Sequence, residues 1–455
     1  MLQKTNISRY NVCMKIIMKK HTLQKETIYF LSIMLLSLLV RLYYINFVSV
    51  YDMQHDVGVI DKYYGHLGYI TYFLHNWQLP DFDVREAFQF WHPPVHHFLS
   101  AVFLKVLWTI FPFLNGNYEP LQLLPLLYIS VSLYIVWKLL KLWNLKGHAL
   151  FLPFLILSFH PTFILLSGSV NNDTLCFLFT LLSIYFSICW HQNPSYRLII
   201  LSALSIGLGM STKGTAFIAA FPMAFMFLVG FIKYKRKVLG QLCAFAIIAL
   251  PLGLWWYIRN YYLYEVPLNY IYRTSTDAIG YLGNVPLWNR ILDFDLRRFS
   301  FWNVYVQFEG RFMEINPIIA LLKSAVYGQC WFNYNLYIRI IAYPLVFIWI
   351  IFVVLSLSAI PKQLKRTDDM LIPNLGILIL FASQFISYYS FCLEYPFVWT
   401  MDIRYAIMLL VSHILWLGIF IKAHPRCKKL LLYLTCSFII ITNIVFFMFS
   451  FTTFG

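Results

Sequence analysis

Four groups of residues in this chain have types and spacings that could do chemistry. Asp52 and Asp56 stand four residues apart in YDMQHDVG, so on a helical segment both carboxylates would share a face. A carboxylate beside an apolar surface loses solvation of its charged form, which raises its basicity and suits a general base. The same acids also read as solvated loop residues. Asn171, Asn172 and Asp173 follow FHPTFILLSGSV. They read as a helix cap satisfying free backbone N–H groups, or as polar groups around an anion-binding helix start. Lys213 in GMSTKGTAF, Arg259 in WWYIRNYYLY and Arg404 in MDIRYAIM interrupt apolar runs. Cations at membrane depth are costly, so they either line an interior cavity or snorkel to headgroups. In a cavity they suit a phosphate, which arginine grips through paired N–H bonds. In QFWHPPVHHF, His92 and His96 have helical spacing and His97 follows. A pair of imidazoles is an incomplete ligand set for a metal, although loop carboxylates could complete it. The other reading is polar residues at a membrane surface.

The elements that must position these residues are membrane helices. The chain has 455 residues, is 60% hydrophobic and 19% aromatic, and carries only 12% charge. That much apolar surface exceeds what a soluble domain can hide. Apolar runs of spanning length, about 20 residues, recur from Tyr29 to Phe449. The net charge of +16 sits in short clusters between those runs rather than in one basic domain, which excludes a nucleic-acid-binding surface. Eight cysteines are scattered with no CxxC, so neither a disulfide framework nor a thiolate metal site is indicated.

Charge then orients the spans. Lys15, Lys19, Lys20 and Lys25 precede residues 28–47, which read as an uncleaved first helix with a cytoplasmic N-terminus. Later basic clusters (Lys138 to Lys146, Lys233 to Lys237, Lys362 to Arg366, Lys422 to Lys429) mark further inside loops. Residues 94–112 and 120–140 are both helix-length, and if both crossed, Lys138 would fall outside. The run 94–112, which follows Pro93-Pro94 and stops at Phe111-Pro112, is therefore expected to lie at the outer face. Proline suits a first helical turn because its missing N–H costs nothing there. The fold expected is an all-α polytopic membrane bundle of about eleven transmembrane helices with outer juxtamembrane helices. Its divisions are a cytoplasmic N-terminus 1–27, a membrane module 28–258 containing an outer loop 48–119, an extracytoplasmic loop or lid 259–334, and C-terminal transmembrane helices 335–455. On this map only Glu26, Asp368 and Asp369 of the nineteen acids fall inside, so the chemistry is expected on the outer face.

The motifs taken together resemble the GT-C superfamily of integral-membrane glycosyltransferases, in its protein O-mannosyltransferase, aminoarabinose-transferase and RgtA/B/C/D-like branch. HDVG with Asp56, HPPVHH, NND at Asn171 to Asp173, STKG with Lys213, WYIRN with Arg259 and DIRY with Arg404 follow one another in the family's order. The resemblance implies a GT-C-like bundle and a hexosyl- or pentosyltransferase that takes its sugar from a polyprenyl-phosphate-linked lipid donor. The acceptor would be an extracytoplasmic glycan, lipid or protein hydroxyl. It also implies that Asp56, with Asp52 and Asp173, forms the catalytic set. Lys213, Arg259 and Arg404 would meet the donor phosphate. Asn171 and Asn172 would orient hydroxyls, and the motif neighbours His55, Asn260 and Tyr405 would lie on the substrate side. No metal ligand is assigned, although Asp173 could help hold a divalent cation.

Two departures limit the carry-over. The aminoarabinose transferases place a lysine ahead of the Pro block, where this chain has His92; His92 is therefore expected beside the donor, with His96 and His97 supporting the helix. The protein O-mannosyltransferases have an Asp-Glu pair in the first loop and a large luminal domain. This chain has His55-Asp56 and no such domain. The rival readings are a transporter or lipid flippase, which would place ionisable residues near the bilayer midplane, and a non-catalytic scaffold. Richness in Phe, Tyr, Ile and Lys suits an AT-rich bacterial genome, so the expected location is a bacterial plasma membrane.

Overall fold

The computed structural model describes residues 2–51, 56–58, 63–295, 297–298, 304–305, 307–308, 311–328 and 336–452; Asp52 and His55 lie outside them. The described chain is nearly all helical. In order the helices are α1 (Leu2–Phe47), α2 (Gly65–Asn76), α3 (Val95–Ile110), α4 (Leu123–Leu142), α5 (His148–Ser158), α6 (Pro161–Leu166), α7 (Asp173–Gln192), α8 (Tyr196–Met210) and α9 (Ala220–Tyr234). There follow α10 (Leu239–Tyr264), α11 (Leu287–Leu292), α12 (Pro317–Tyr327), α13 (Leu336–Ser358), α14 (Ile360–Leu364), α15 (Leu371–Glu394), α16 (Met408–Ala423) and α17 (Lys428–Thr452). A two-residue hairpin pairs Gln307–Phe308 with Arg311–Phe312.

Among the described residues seven helices are long and apolar enough to cross a membrane, or eight if the bent pair Val398–Ala406 and Met408–Ala423 is one span. The chain is thus an integral multi-pass membrane protein. The 51-residue run Gly214–Tyr264 holds two helices. With α8 and the broken α5–α6 pair it supplies the remaining apolar segments of the eleven-helix reading. Pro161 makes that break: proline lacks an N–H and pushes the residue before it out of the α region, and His160 is extended at ψ 132.

α3 has 16 residues, which at 1.5 Å per residue is roughly 24 Å, short of a bilayer core of about 30 Å. It is two-sided. His96, His97, Ser100, Ala101 and Leu104 are buried, while Phe98, Leu99, Val106 and Ile110 are exposed. The buried face packs on α2, and with Tyr69, Phe73, Phe90, Leu121, Val170 and Trp256 it forms a second hydrophobic core beside the main one. This small core carries the 63–122 segment against the end of the bundle where α1 finishes and α7 begins.

Within 259–334, α12 is largely buried and packs against α6 and α13. Asn316 caps it by accepting from Ile318 and Ile319 N–H, and Pro317 occupies its first turn. A buried ion pair, Lys323 Nζ to Glu314 Oε2 at 2.5 Å, fastens the segment.

Candidate active site

Four chain segments that are remote in sequence meet at this end of the bundle. The first is the loop after α1. Asp56 adopts φ 57, and its carbonyl accepts the His66 N–H at 3.0 Å, while Val57 O accepts Leu67 N–H at 2.8 Å. Gly58 and Gly65 both take φ +78, and a Cβ on Gly58 would stand 1.8 Å from Tyr64 O. Only glycine permits this crossing of the loop over the start of α2.

The second segment starts α7. Asn171 Oδ1 accepts the Asp173 N–H at 3.0 Å, and Asn172 Nδ2 donates to Thr212 O at 3.1 Å. The capping reading therefore holds for Asn171, whereas Asn172 ties α7 to the end of α8. The third is the turn after α8, which presents Lys213; its N–H donates to Gly209 O at 2.9 Å. The fourth precedes α16, where Asp402 Oδ1 accepts the Arg404 N–H at 2.8 Å. Ser324 of α12 accepts the Ile403 N–H at 2.9 Å, and Gln384 of α15 donates to Tyr405 O at 2.7 Å. The Arg404 turn is thereby clamped by two helices.

The side chains converge on Asp173. Lys213 Nζ lies 2.5 Å from Asp173 Oδ1 and Arg404 Nη1 3.4 Å from Oδ2, with Arg404 Nη2 3.2 Å from Asp56 Oδ2. The Tyr405 ring lies beneath both cations, with Lys213 Nζ at 5.3 Å and Arg404 Cζ at 4.4 Å, and its hydroxyl accepts from Arg404 Nη2 at 2.6 Å. Asp173 and Lys213 are sealed, with side chains 5% and 8% exposed. Asp56 is 32% exposed and is the more open of the two carboxylates in the cluster. Around the cluster Asn171 Nδ2, Asn172 Oδ1, Thr174 Oγ1 and Asp402 Oδ2 are buried without a partner. Buried polar atoms are normally satisfied by protein or water, so these orphans suit a site that takes up polar groups.

Imidazoles line the side formed by α2 and α3. Trp91 packs on His92 at a centroid distance of 3.6 Å, and His92 lies within electrostatic reach of Lys213 and Arg404. His96 Nε2 bonds Val170 O at 3.0 Å, tying α3 to the segment before α7. His97 Nε2 pairs with His66 Nδ1 at 2.9 Å. Burial, and for His92 also the nearby Lys213, hold His92 and His97 well below the ordinary imidazole value and His96 at about 4, so these rings are neutral. Sequence reasoning missed His66 and the role of Asp402. His66 sits in GHLGYITYF with no neighbouring polar pattern, while Asp402 stands two residues before Arg404 in MDIRY, a spacing that suits a side-chain turn.

Arg259 is placed apart from the cluster. It donates to Pro80 O and, at 2.8 Å, to Asn260 Oδ1, and it packs on Trp256 at 5.2 Å and Tyr264 at 5.8 Å. These contacts fasten the 77–92 loop to α10 and involve neither Asp173 nor Asp56. The spacing of apolar runs that put Lys213, Arg259 and Arg404 at helix ends holds no information about which end-on neighbours they choose. The described residues do not by themselves make a divalent-cation site. Both Asp173 oxygens are taken by Lys213 and Arg404, and among the described residues no group of three or more His, Cys, Asp or Glu gathers to hold one.

Fold and charged cluster define a polytopic membrane protein with its polar site at one end of the helix bundle. Residues 91–256 match the family model described as dolichyl-phosphate-mannose-protein mannosyltransferase. Two solved structures of the oligosaccharyltransferase of Archaeoglobus fulgidus share the fold. AglB, in complex with an inhibitory peptide and a dolichol-phosphate, has a TM-score of 0.54 at 15% identity over 94% of this chain and 56% of its own. The second, with Zn and sulfate, has a TM-score of 0.51 at 15% identity over 92% and 53%. The chain thus spans little more than half the length of either. ArnT from Cupriavidus metallidurans, in the apo state, gives a TM-score of 0.40 at 14% identity over 88% of this chain and 78% of its own. No curated protein matches the chain in sequence.

Proposed function

We propose that the chain is an inverting membrane glycosyltransferase that moves a hexose or pentose from a polyprenyl-phosphate donor to a hydroxyl of an extracytoplasmic glycan, lipid or protein. The observation that carries this reading is the joining of Asp56, Asp173, Lys213 and Arg404 in one cluster. The two buried cations are held in place by Asp173 before any substrate arrives, and the more open carboxylate, Asp56, stands on the Arg404 side. Asp56 takes the proton of the acceptor hydroxyl as its oxygen bonds the anomeric carbon. The bond from that carbon to the phosphate oxygen breaks, and its electron pair leaves with the polyprenyl phosphate. Lys213 and Arg404 stabilise the charge that develops there, a preorganised role that costs no rearrangement during the step. Asp173 acts as the anchor of both cations rather than as a second base. Arg259 supports the loop wall. The family match over residues 91–256 and the dolichol-phosphate bound by AglB support a lipid-phosphate donor.

The loop charges support an N-terminus in the cytoplasm and a cluster on the outer face, and the Phe, Tyr, Ile and Lys content supports a bacterial plasma membrane. The ionisable cluster lies at helix ends, which favours this reading over a transporter or flippase, where such groups gather near the midplane.

The test is transfer of radiolabel from a panel of polyprenyl-phosphate sugars by membranes containing the chain. At least one donor should be consumed, and Asp56→Asn should lower turnover by ~10²–10⁴-fold, the usual contribution of a general base, in a protein that still assembles. Transfer unaffected by that substitution removes Asp56 as the base.

A further inference from the structure

His66 belongs to none of the motifs that point to the site, yet the fold packs it against His92 and His97 beside the Asp56 loop. Its backbone N–H holds the Asp56 carbonyl at 3.0 Å. Its ring is 2% exposed for the residue as a whole and lies within electrostatic reach of Asp173, Lys213 and Arg404. The His92 ring lies nearly parallel to it, at 13° and a centroid distance of 5.9 Å. The His97 ring is also nearly parallel to it, at 7° and a centroid distance of 5.2 Å, and Nε2 of His97 meets Nδ1 of His66 at 2.9 Å.

That nitrogen-to-nitrogen contact determines where the protons are. Burial first opposes a charge on either ring, with neighbouring imidazoles adding to it at both and Lys213 and Arg404 at His66, so the pair is taken as neutral. One nitrogen of the pair must then donate and the other accept. If His66 donated, neutral His97 would carry its proton on Nδ1, an atom that is buried and has no partner. A sealed N–H without an acceptor is the costlier defect, since orphaned donors are rarer in proteins than under-used acceptors. In the opposite arrangement His97 donates from Nε2, its Nδ1 is only a bare lone pair, and His66 accepts at Nδ1. His66 must then bear its proton on Nε2, on the side of the ring away from His97.

We infer that His66 is a fixed, neutral hydrogen-bond donor that offers Nε2–H to an oxygen of the phosphate held at the Lys213–Arg404 cluster, and that His97 is the positioning residue that sets this tautomer. A neutral donor has a specific use here. Lys213 and Arg404 are already matched by Asp173 and Asp56, and a third cation would bind donor and leaving group alike. A neutral N–H adds a directed bond to a phosphate oxygen without tightening product retention by charge. The identity of the phosphate rests on the glycosyl-transfer reading; the tautomer does not.

The protein labelled with ¹⁵N-histidine and studied by solid-state NMR in lipid bilayers tests the tautomer without any turnover. His66, assigned by its loss in His66→Gln, should show a protonated Nε2 and an unprotonated Nδ1. Polyprenyl phosphate without sugar should shift the Nε2 signal at concentrations where inorganic phosphate does not, because the lipid brings the phosphate to the site. A charged His66, the Nδ1–H form, or an Nε2 signal indifferent to polyprenyl phosphate overturns the inference. An equal response to inorganic phosphate also overturns it. The glycosyl-transfer reading fails separately, through absence of sugar transfer by the unaltered protein.

Activity supplies a second readout. His66→Gln, whose amide N–H reaches the Nε2 position, should retain most of the transfer rate. His66→Asn, which places its amide nearer Nδ1, should lose about 10- to 100-fold, the worth of one hydrogen bond to a charged group. His97→Phe frees the tautomer of His66 and should lower the rate while moving the His66 signals to a mixture of forms. Equal rates for the Gln and Asn variants, in proteins of unchanged melting temperature, would show that His66 only fills space.

Discussion

Arg404 Nη2 lies 3.2 Å from Asp56 Oδ2, a contact that spans 348 residues of sequence. The same guanidinium reaches Asp173 through Nη1 at 3.4 Å, so one side chain joins the loop after the first helix, the start of α7 and the approach to α16. Bridging of this kind needs the planar fork of arginine, which offers donors along two directions at once. Arg404→Lys keeps the charge and loses the fork. Its kcat/KM for sugar transfer should fall about 10- to 100-fold, the equivalent of one charge-assisted bond. Full activity in the lysine variant, from steady-state kinetics in detergent, would show that charge alone is what the site uses.

Asp173 and Lys213 form the sealed part of the cluster, and breaking a buried pair by removing one partner leaves a charge uncompensated. Asp173→Asn and Lys213→Met should each destabilise the protein by about 3–5 kcal/mol. The double variant should cost less than the sum of the two, because it removes both charges. Thermal unfolding in one detergent measures all three, and strict additivity would argue against the pairing.

The buried imidazoles of His66, His92, His96 and His97 predict acid sensitivity. All are depressed in the folded protein below their ordinary value of 6.5, His96 to about 4, with burial as the first cause. The unfolded chain therefore takes up protons first as pH falls. Stability is fully present above about pH 6.5 and is lost as pH drops from there toward 4, at up to about 1.4 kcal/mol per unit for each histidine. The charged groups that face these rings are Lys213, Arg404 and Asp173. Melting temperatures at pH 7.5 and 5.0 provide the check, and a protein more stable at pH 5.0 would contradict the neutral assignment.

Gly58 sets the height of Asp56 above α2. At φ +78 a Cβ there would stand 1.8 Å from Tyr64 O, whereas Gly116 at φ +82 has nothing within 4 Å of its hypothetical Cβ. Gly58→Ala should displace the Asp56 loop and reduce transfer by at least 10-fold, the effect of about 1.4 kcal/mol or more of misplacement. Gly116→Ala carries only the strain of positive φ, about 1 kcal/mol of stability, and should leave transfer intact. Similar losses of activity in both would mean that the crossing of Gly58 and Gly65 does not govern the site.

Much of the architecture was legible because it follows from composition alone. An apolar run of bilayer length has few options other than a helix, so α4, α7, α13, α15 and α17 could be read directly, with ends shifted by a few residues; the apolar run starts the first helix at residue 28, whereas α1 begins at Leu2. Proline placed the start of α3 after Pro94 and its end before Pro112 by its missing N–H. Asp56, Asp173, Lys213 and Arg404 could be chosen because a charge beside apolar sequence is costly enough to demand a reason. What periodicity and spacing lack is the pairing of helix ends. They could not show that Arg259 turns to Pro80 O and Trp256 while Arg404 turns to Asp56 and Asp173. Nor could they single out His66, whose apolar surroundings hide it. The types of the site residues are a property of the chain. Which of them touch depends on how α2, α3, α8 and α16 pack, because contact energies of a few kcal/mol act only once the helices have brought the groups within reach.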